Sequence, residues 1–198
     1  LRLEKRLSAD RQVGLRLNAK TTDTDFDSSS GGVTDTHLYK TQTETANVFW
    51  REAFTAEWLS QLDLTYAHFA NDSIKNGVLA ASGGTSNGEY RGNQTNLRWF
   101  NTYAIEPKFT LNFGLDHSDE IYSQLNTYEA KRSLRGYFAG LKHEHDRWTL
   151  QLNARDDDVS LDRVASGASS SKDSHTSSYL AGLGYALTPE WRLTTSIS

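Results

Sequence analysis

Cysteine and methionine are absent from this chain, and proline occurs only twice in its 198 residues. Without cysteine there are no disulfides and no thiolate metal ligands. The missing methionine, together with the lack of a signal peptide, leads us to expect a processed product or a piece of a longer chain. Pro107 and Pro189 both stand in short breaks between β-like stretches, and no segment shows a capped 3.6-residue period, which argues against a helical fold. Long apolar runs are missing too: nothing approaches the ~18 residues of a membrane helix. A basic excess is also lacking. Lys and Arg total 21 against 25 Asp and Glu, a net charge of −4, which argues against nucleic-acid binding.

What the chain has is aromatics and alternation. Aromatics make up 11% of residues although mean hydropathy is only −0.65. In the last stretch, Tyr179, Ala181, Leu183 and Tyr185 alternate with Leu180 and small glycines. After the break at Thr188-Pro189-Glu190, Trp191, Leu193, Thr195 and Ile197 alternate with Arg192, Thr194 and Ser196. Period two on both sides of a short turn predicts a β-hairpin.

The pattern recurs along the chain. Leu1, Leu3 and Leu7 turn through Ser8-Ala9-Asp10-Arg11 into Val13, Leu15, Leu17 and Ala19. Ala46, Val48, Trp50 and Phe54 turn at Thr55-Ala56-Glu57 into Trp58, Leu62, Leu64 and Tyr66. Leu97, Trp99 and Tyr103 turn at Glu106-Pro107-Lys108 into Phe109, Leu111, Phe113 and Leu115. A fourth hairpin climbs from Leu134 to Leu141, turns near Glu144-His145-Asp146 and returns through Trp148, Leu150, Leu152 and Ala154. Hydrophilic segments separate the hairpins, notably Thr21 to Thr45, Ala70 to Asn93 and Asp156 to His175.

The reading is an all-β chain of about ten strands of roughly 9–11 residues, the length that crosses a bilayer at the usual tilt. Short turns alternating with long polar loops are what outer-membrane barrels show. Trp58, Phe109, Trp148 and Trp191, each just after a short turn, would form one interfacial girdle. The fold class expected is a transmembrane antiparallel up-and-down β-barrel in contact with outer-membrane lipid, because closure leaves no unpaired backbone in lipid. Leu111, Phe113, Leu115, Leu150 and Leu152 are then the lipid side. A soluble β-domain is the plainer alternative.

Several residues invite chemistry. Thr24-Asp25-Phe26-Asp27 and Thr34-Asp35-Thr36 gather carboxylates in one polar segment, the hard oxygen donors that calcium takes, although the spacing is not that of an EF-hand. The alternative is simple solvation. Arg155-Asp156-Asp157-Asp158 suits either a cation, pairing across the wall or a solvated strand end. His143 and His145 beside a turn read as interfacial histidines. Tyr39, Tyr90, Tyr122 and Tyr128 either contact a large ligand or anchor the polar segments.

At Ala154-Arg155-Asp156-Asp157 and from Gly184-Tyr185 through Trp191-Arg192-Leu193, the order of strands and turns resembles the TonB-dependent outer-membrane receptors, most of all the cobalamin receptors among them. The resemblance covers nearly the whole chain and matches a middle part of that barrel. It implies a 22-stranded barrel, of which residues 1–198 are one wall segment without the plug domain. By implication the activity is uptake of cobalamin or a related large nutrient, coupled to TonB through the missing plug region. It also implies a calcium cage to which Asp27 and Asp35 contribute, beside ligand contacts from Phe26 and Tyr39. A siderophore or metal receptor of the same superfamily is the neighbouring expectation. The rival from another class is a complete small outer-membrane barrel acting as a protease, with His37, His117 and His175 as its candidates.

Overall fold

The computed structural model describes residues 1–26, 35–79, 88–124, 127–165 and 167–198. These residues form strands only: β1 (Arg2–Arg6), β2 (Arg11–Asp25), β3 (His37–Ala53), β4 (Trp58–Lys75), β5 (Val78–Leu79), β6 (Glu89–Glu106), β7 (Phe109–Gln124), β8 (Tyr128–His145), β9 (Trp148–Ala165), β10 (Ala168–Ala186) and β11 (Arg192–Ile197). Each pairs antiparallel with its neighbour in the order β1-β2-β3-β4-β6-β7-β8-β9-β10-β11, and two-residue β5 folds back on the end of β4. The sheet is a single up-and-down layer with β1 and β11 at its edges. No helix among the described residues is long and apolar enough to cross a membrane, and strands are not subject to that test.

The strands are longer than the sequence suggested. The eight main strands run from 15 to 19 residues, not 9–11. Most of Thr21–Thr45, Ala70–Asn93 and Asp156–His175, expected as loops, is paired strand. The reason is that Thr and Ser accept extended backbone whether or not a face is buried, so pairing continues past the apolar band. Two of the far connections are short: β8 begins four residues after the end of β7, and β10 three residues after the end of β9. Asn76 and Gly77, with φ of 52° and 75°, turn β4 into β5 in the left-handed geometry of a tight hairpin.

Register sorts the side chains cleanly. Taken across the sheet, Val48, Leu64, Leu97, His117 and Arg135 share one face. Toward the short turns that face carries Trp50, Leu62, Trp99, Leu115, Leu111, Phe113, Leu141, Leu152 and Leu183, and it includes all five residues expected to meet lipid. The opposite face presents Asn47, Thr65, Asn96, Asn112, Gln151 and Thr194. One row of partners, Arg11–Glu52–Ser60–Asn101–Phe113–Ala139–Ala154–Tyr179, starts at the first residue of β2 and ends well inside β10. That drift is about one residue per strand, ~3.3 Å along for ~4.8 Å across, so the strands tilt by about 35°, as barrel closure requires.

A single layer has almost no core. Phe49, Ala70 and Ala130 are its only buried hydrophobic side chains among the described residues, while Val48, Leu62, Leu64 and Leu152 are exposed. An apolar face of that extent marks a surface that another apolar phase or partner covers. Near the short turns the same face is finished by indoles that satisfy its few polar groups. Trp58 Nε1 donates to the fully buried Asn101 Oδ1 at 3.1 Å, and Trp99 Nε1 donates to Ser60 Oγ at 2.9 Å. Trp58, Phe109 and Trp148 open β4, β7 and β9 on this side, and Trp191, the fourth residue expected in the girdle, stands just before β11.

Candidate functional site

Above the apolar band, the polar face changes character and becomes aromatic. Tyr90, Tyr122 and Tyr128 all lie on it, with ring centroids 6.3 Å and 6.1 Å apart in sequence order. Gly92 stands between Phe69 and Tyr122 in register. Burial, and then the neighbouring Tyr90 and Tyr128, push the Tyr122 phenol up. The Arg163 guanidinium stands 4.9 Å over the Tyr128 ring, and Arg132 pairs with Glu120 at 3.2 Å two residues below Tyr122. Such a surface stacks flat groups and offers cations to anionic ones.

A second aromatic group closes the end of β2 and β3. Phe26 stacks on Tyr39 at 4.2 Å with the rings 8° from parallel, and its amide donates to the His37 carbonyl at 3.1 Å. The two ligand contacts expected from the sequence are therefore neighbours on the polar face. His37 is buried beside them, 5.2 Å from Phe26, with neither ring nitrogen hydrogen-bonded. The expected metal pair is treated unequally. Asp27 lies outside the described residues. Asp35 pairs with Lys75 Nζ at 2.8 Å and accepts from Asn76 Nδ2 at 2.8 Å, so this carboxylate fastens the β2–β3 end to the Asn76-Gly77 turn.

Below the aromatic level, four charges interlock on the polar face. Arg155 binds Asp157 at 2.7 Å and reaches over β8 to Asp116, also at 2.7 Å. Arg98 joins at 3.4 Å from Asp116 and lies over Phe100 and Phe138, which stack at 6.0 Å. The reach is open because Gly136 is the register partner of both Asp116 and Asp157. Pairing across the wall is thus one fate of the Arg155–Asp158 run. No single residue type announces it, because it depends on register between segments 39 residues apart.

The other two acids of that run point to the opposite face, just above the apolar band. Asp156 Oδ2 and Asp158 Oδ1 lie 3.3 Å and 2.9 Å from His175 Nε2 and Nδ1, and Ser177 Oγ donates to Asp156 at 2.7 Å. The His175 imidazole is held above its ordinary pKa, first by the hydrogen bond that its ring donates to Asp158 and then by the charge of Asp156. Oxygen and nitrogen atoms of the three residues come within 4.8 Å of one another, so the set could in principle hold a cation. As it stands, the ring of His175 lies between the two carboxylates.

Ser177, His175 and Asp158 also resemble a hydrolytic triad, which bears on the protease expectation. The hydroxyl, however, gives its proton to Asp156 and stands 3.5 Å from His175 Nε2. Both His175 and Asp158 are exposed to solvent, whereas nucleophilic catalysis wants a base free to accept and a dry site. His117 is bonded to Asp119 at 3.0 Å on the same outward face as His175, while His37 sits on the other face. The three histidines do not assemble a site. His143 and His145 stack on each other at 6.1 Å beside the short turn, as interfacial histidines do.

No protein-family model matches the chain, and no curated protein matches it by sequence. Solved structures do. The ferric yersiniabactin uptake receptor of Yersinia pestis is similar over 94% of this chain, with a TM-score of 0.65 and 13% identity. The FrpB iron transporter of Neisseria meningitidis is similar over 98% with a TM-score of 0.73 at 10% identity, and the alcaligin outer-membrane receptor of Bordetella pertussis over 98% with 0.73 at 15%. At such identities the likeness is one of fold: an all-antiparallel up-and-down sheet shared with outer-membrane receptor barrels. The chain spans about a third of those proteins, 34%, 35% and 33% respectively.

Proposed function

We propose that this chain is a wall segment of a TonB-dependent outer-membrane receptor that captures a large metal-chelate nutrient and imports it without chemistry of its own. The apolar face meets lipid and the polar face lines the lumen, because the reverse would put Asn, Gln and Arg into hydrocarbon. The observation that carries the reading is the aromatic strip of Phe26, Tyr39, Tyr90, Tyr122 and Tyr128 on the lumen side beyond the apolar band. It lies on a wall whose fold matches iron and siderophore receptors along nearly its full length. The short Trp-rimmed turns are periplasmic on this reading, and the aromatic end is extracellular. Energy from TonB enters through a plug region outside this stretch.

A ferric siderophore is the ligand we favour. Its flat chelating groups suit stacked rings, and Arg163 suits its residual negative charge. Cobalamin is the second reading, supported by the position of Phe26 and Tyr39 beside Asp35. In that case calcium is held by Asp27 and Asp35, and it must take the place of Lys75 on Asp35. Uptake assays on cells lacking the protein separate the two. Loss of labelled ferric-siderophore uptake, restored by wild type and weakened at least tenfold in apparent affinity by Tyr122→Ala, supports the first. Selective loss of cobalamin uptake, with calcium affinity reduced by Asp35→Ala, supports the second. Unchanged uptake of both, or recovery of the protein in the soluble fraction, overturns the receptor reading.

A further inference from the structure

Four buried side-chain atoms lie together on the polar face of β3 and β4 without a hydrogen-bond partner among the described residues: both ring nitrogens of His37, Ser73 Oγ and Asn71 Oδ1. His37 is only 6% exposed and Ser73 only 1%, so these groups are not simply left to solvent. Leaving buried donors and acceptors dry costs free energy, and a partner that arrives from outside accounts for them. What stands beside them now is a phenyl ring. Phe26 lies 4.2 Å from Tyr39 with the planes 8° apart, and its centre is 5.2 Å from that of the His37 imidazole. Ser73 is the register partner of Tyr39. Phe26 thus holds the place that a flat ring would take on Tyr39, yet a hydrocarbon ring satisfies none of the four atoms. An oxygen carried on a ring so placed can lie between the two ring centres, within hydrogen-bond reach of a His37 nitrogen.

We propose that Phe26 is a built-in occupant of a ligand seat, and that the part of the ligand which displaces it is an uncharged aromatic ring bearing a hydroxyl group. The inference rests on the receptor reading above and narrows its ligand. A hydroxyl both donates and accepts, as the mixed set requires: imidazole nitrogens supply a donor and an acceptor, Ser73 a hydroxyl and Asn71 a carbonyl oxygen. The charges beside the seat do not call for an ion. Lys75, the register partner of His37, is paired with Asp35 at 2.8 Å. A carboxylate or phosphate would set acceptor against acceptor at Asn71, and an ammonium group could not use the donors. On Tyr39 the incoming ring exchanges one stacking contact for another, so its advantage over Phe26 comes from hydrogen bonds that Phe26 cannot make.

The test uses the protein purified from membranes in mild detergent, with 3-hydroxybenzamide as the probe and benzamide, which lacks the hydroxyl, as its control. Affinities are read by ligand-observed NMR. We expect the wild type to bind the hydroxylated ring about fivefold more tightly. His37→Leu and Ser73→Ala should each bring that ratio toward one. Ser73→Ala removes one atom that has no partner, so it should not lower the urea unfolding midpoint. Phe26→Ala should tighten both probes about threefold, because it empties a seat otherwise filled by the protein's own ring. A Phe26 that merely packs the strand end, or that itself contacts the ligand, would leave affinity unchanged or weaken it. Equal affinity of the wild type for the two rings overturns the proposal. So does an undiminished ratio in His37→Leu, a lowered midpoint in Ser73→Ala, or affinity that does not rise in Phe26→Ala. Uptake keeps the two readings apart: labelled ferric-siderophore uptake that persists while the two probes bind alike defeats only the seat, whereas a wild type that takes up neither ferric siderophore nor cobalamin defeats the receptor reading.

Discussion

Replacing Gly136 by alanine adds one methyl group, and the ion network on the lumen face fixes what that methyl meets. A Cβ built at Gly136 falls inside contact distance of Arg155 Nη2, 2.5 Å from Asp157 Oδ1 and 3.0 Å from Arg155 Cζ. Arg155 cannot then cross β8 to Asp116. It must give up the 2.7 Å bond there and shift from Asp157. Side chains in these pairs retain 34% exposure for Arg155 and 24% for each acid, so each pair is discounted toward surface values, about 1 kcal/mol. The methyl meets only the ends of flexible side chains, so no overpacking cost is added beyond the two weakened pairs, and the lower chain entropy of alanine returns about 0.5–1 kcal/mol. The expected loss is about 1–1.5 kcal/mol.

A double-mutant cycle identifies the cause. In an Arg155→Ala background the methyl group meets only the mobile Asp157 carboxylate, so Gly136→Ala should be neutral or slightly stabilising. The two substitutions should therefore couple by about 2 kcal/mol in equilibrium urea unfolding from micelles, followed by tryptophan fluorescence. Additivity within ~0.5 kcal/mol refutes the saddle role of Gly136. So does a wild-type midpoint for the single Gly136→Ala variant.

Facing can be tested with two neighbours on β7. Phe113→Arg puts a charge toward lipid and should cost about 2–4 kcal/mol, whereas Asn112→Arg on the lumen side should cost little; equal losses in the same unfolding assay refute the assignment. His175 should titrate above the ordinary histidine value of 6.5 in an NMR experiment, and Asp158→Asn should lower its midpoint. Its folded pKa is raised, so its stabilising contribution is complete below the unfolded value and is lost as pH rises through the folded one; a midpoint below 6.5 refutes the pairing.

Period two carried most of the fold. Leu111, Phe113 and Leu115 against Asn112 and Gly114 fix the two faces of β7 without any knowledge of its partners, and the same holds for β9 and β11. Strand ends were another matter. Beyond the band, residues such as Ser169 to Ser174 on β10 are polar on both faces, so alternation disappears although pairing with β9 continues to Ala168. The turn that ends β4 did have a signal, Asn76-Gly77, the dipeptide that accepts positive φ at both positions. It stood inside a segment whose polarity suggested loop.

The same physics limits what a sequence can reveal of the site. Phe26 and Tyr39 could be named because aromatics in a polar stretch are conspicuous, and antiparallel pairing of β2 with β3 then brings them into contact. Tyr90, Tyr122 and Tyr128 needed more: three strands, β6, β7 and β8, had to fall in register. The acidic run shows the limit most clearly. Four consecutive residues, Arg155 to Asp158, read as one charged patch, yet alternation sends Arg155 and Asp157 to the ion network on the polar face and Asp156 and Asp158 to His175 on the opposite face. Parity alone allows that split to be predicted. The partners cannot be, because Asp116, Gly136 and His175 are chosen by register, and register is set by the whole tilt of the sheet.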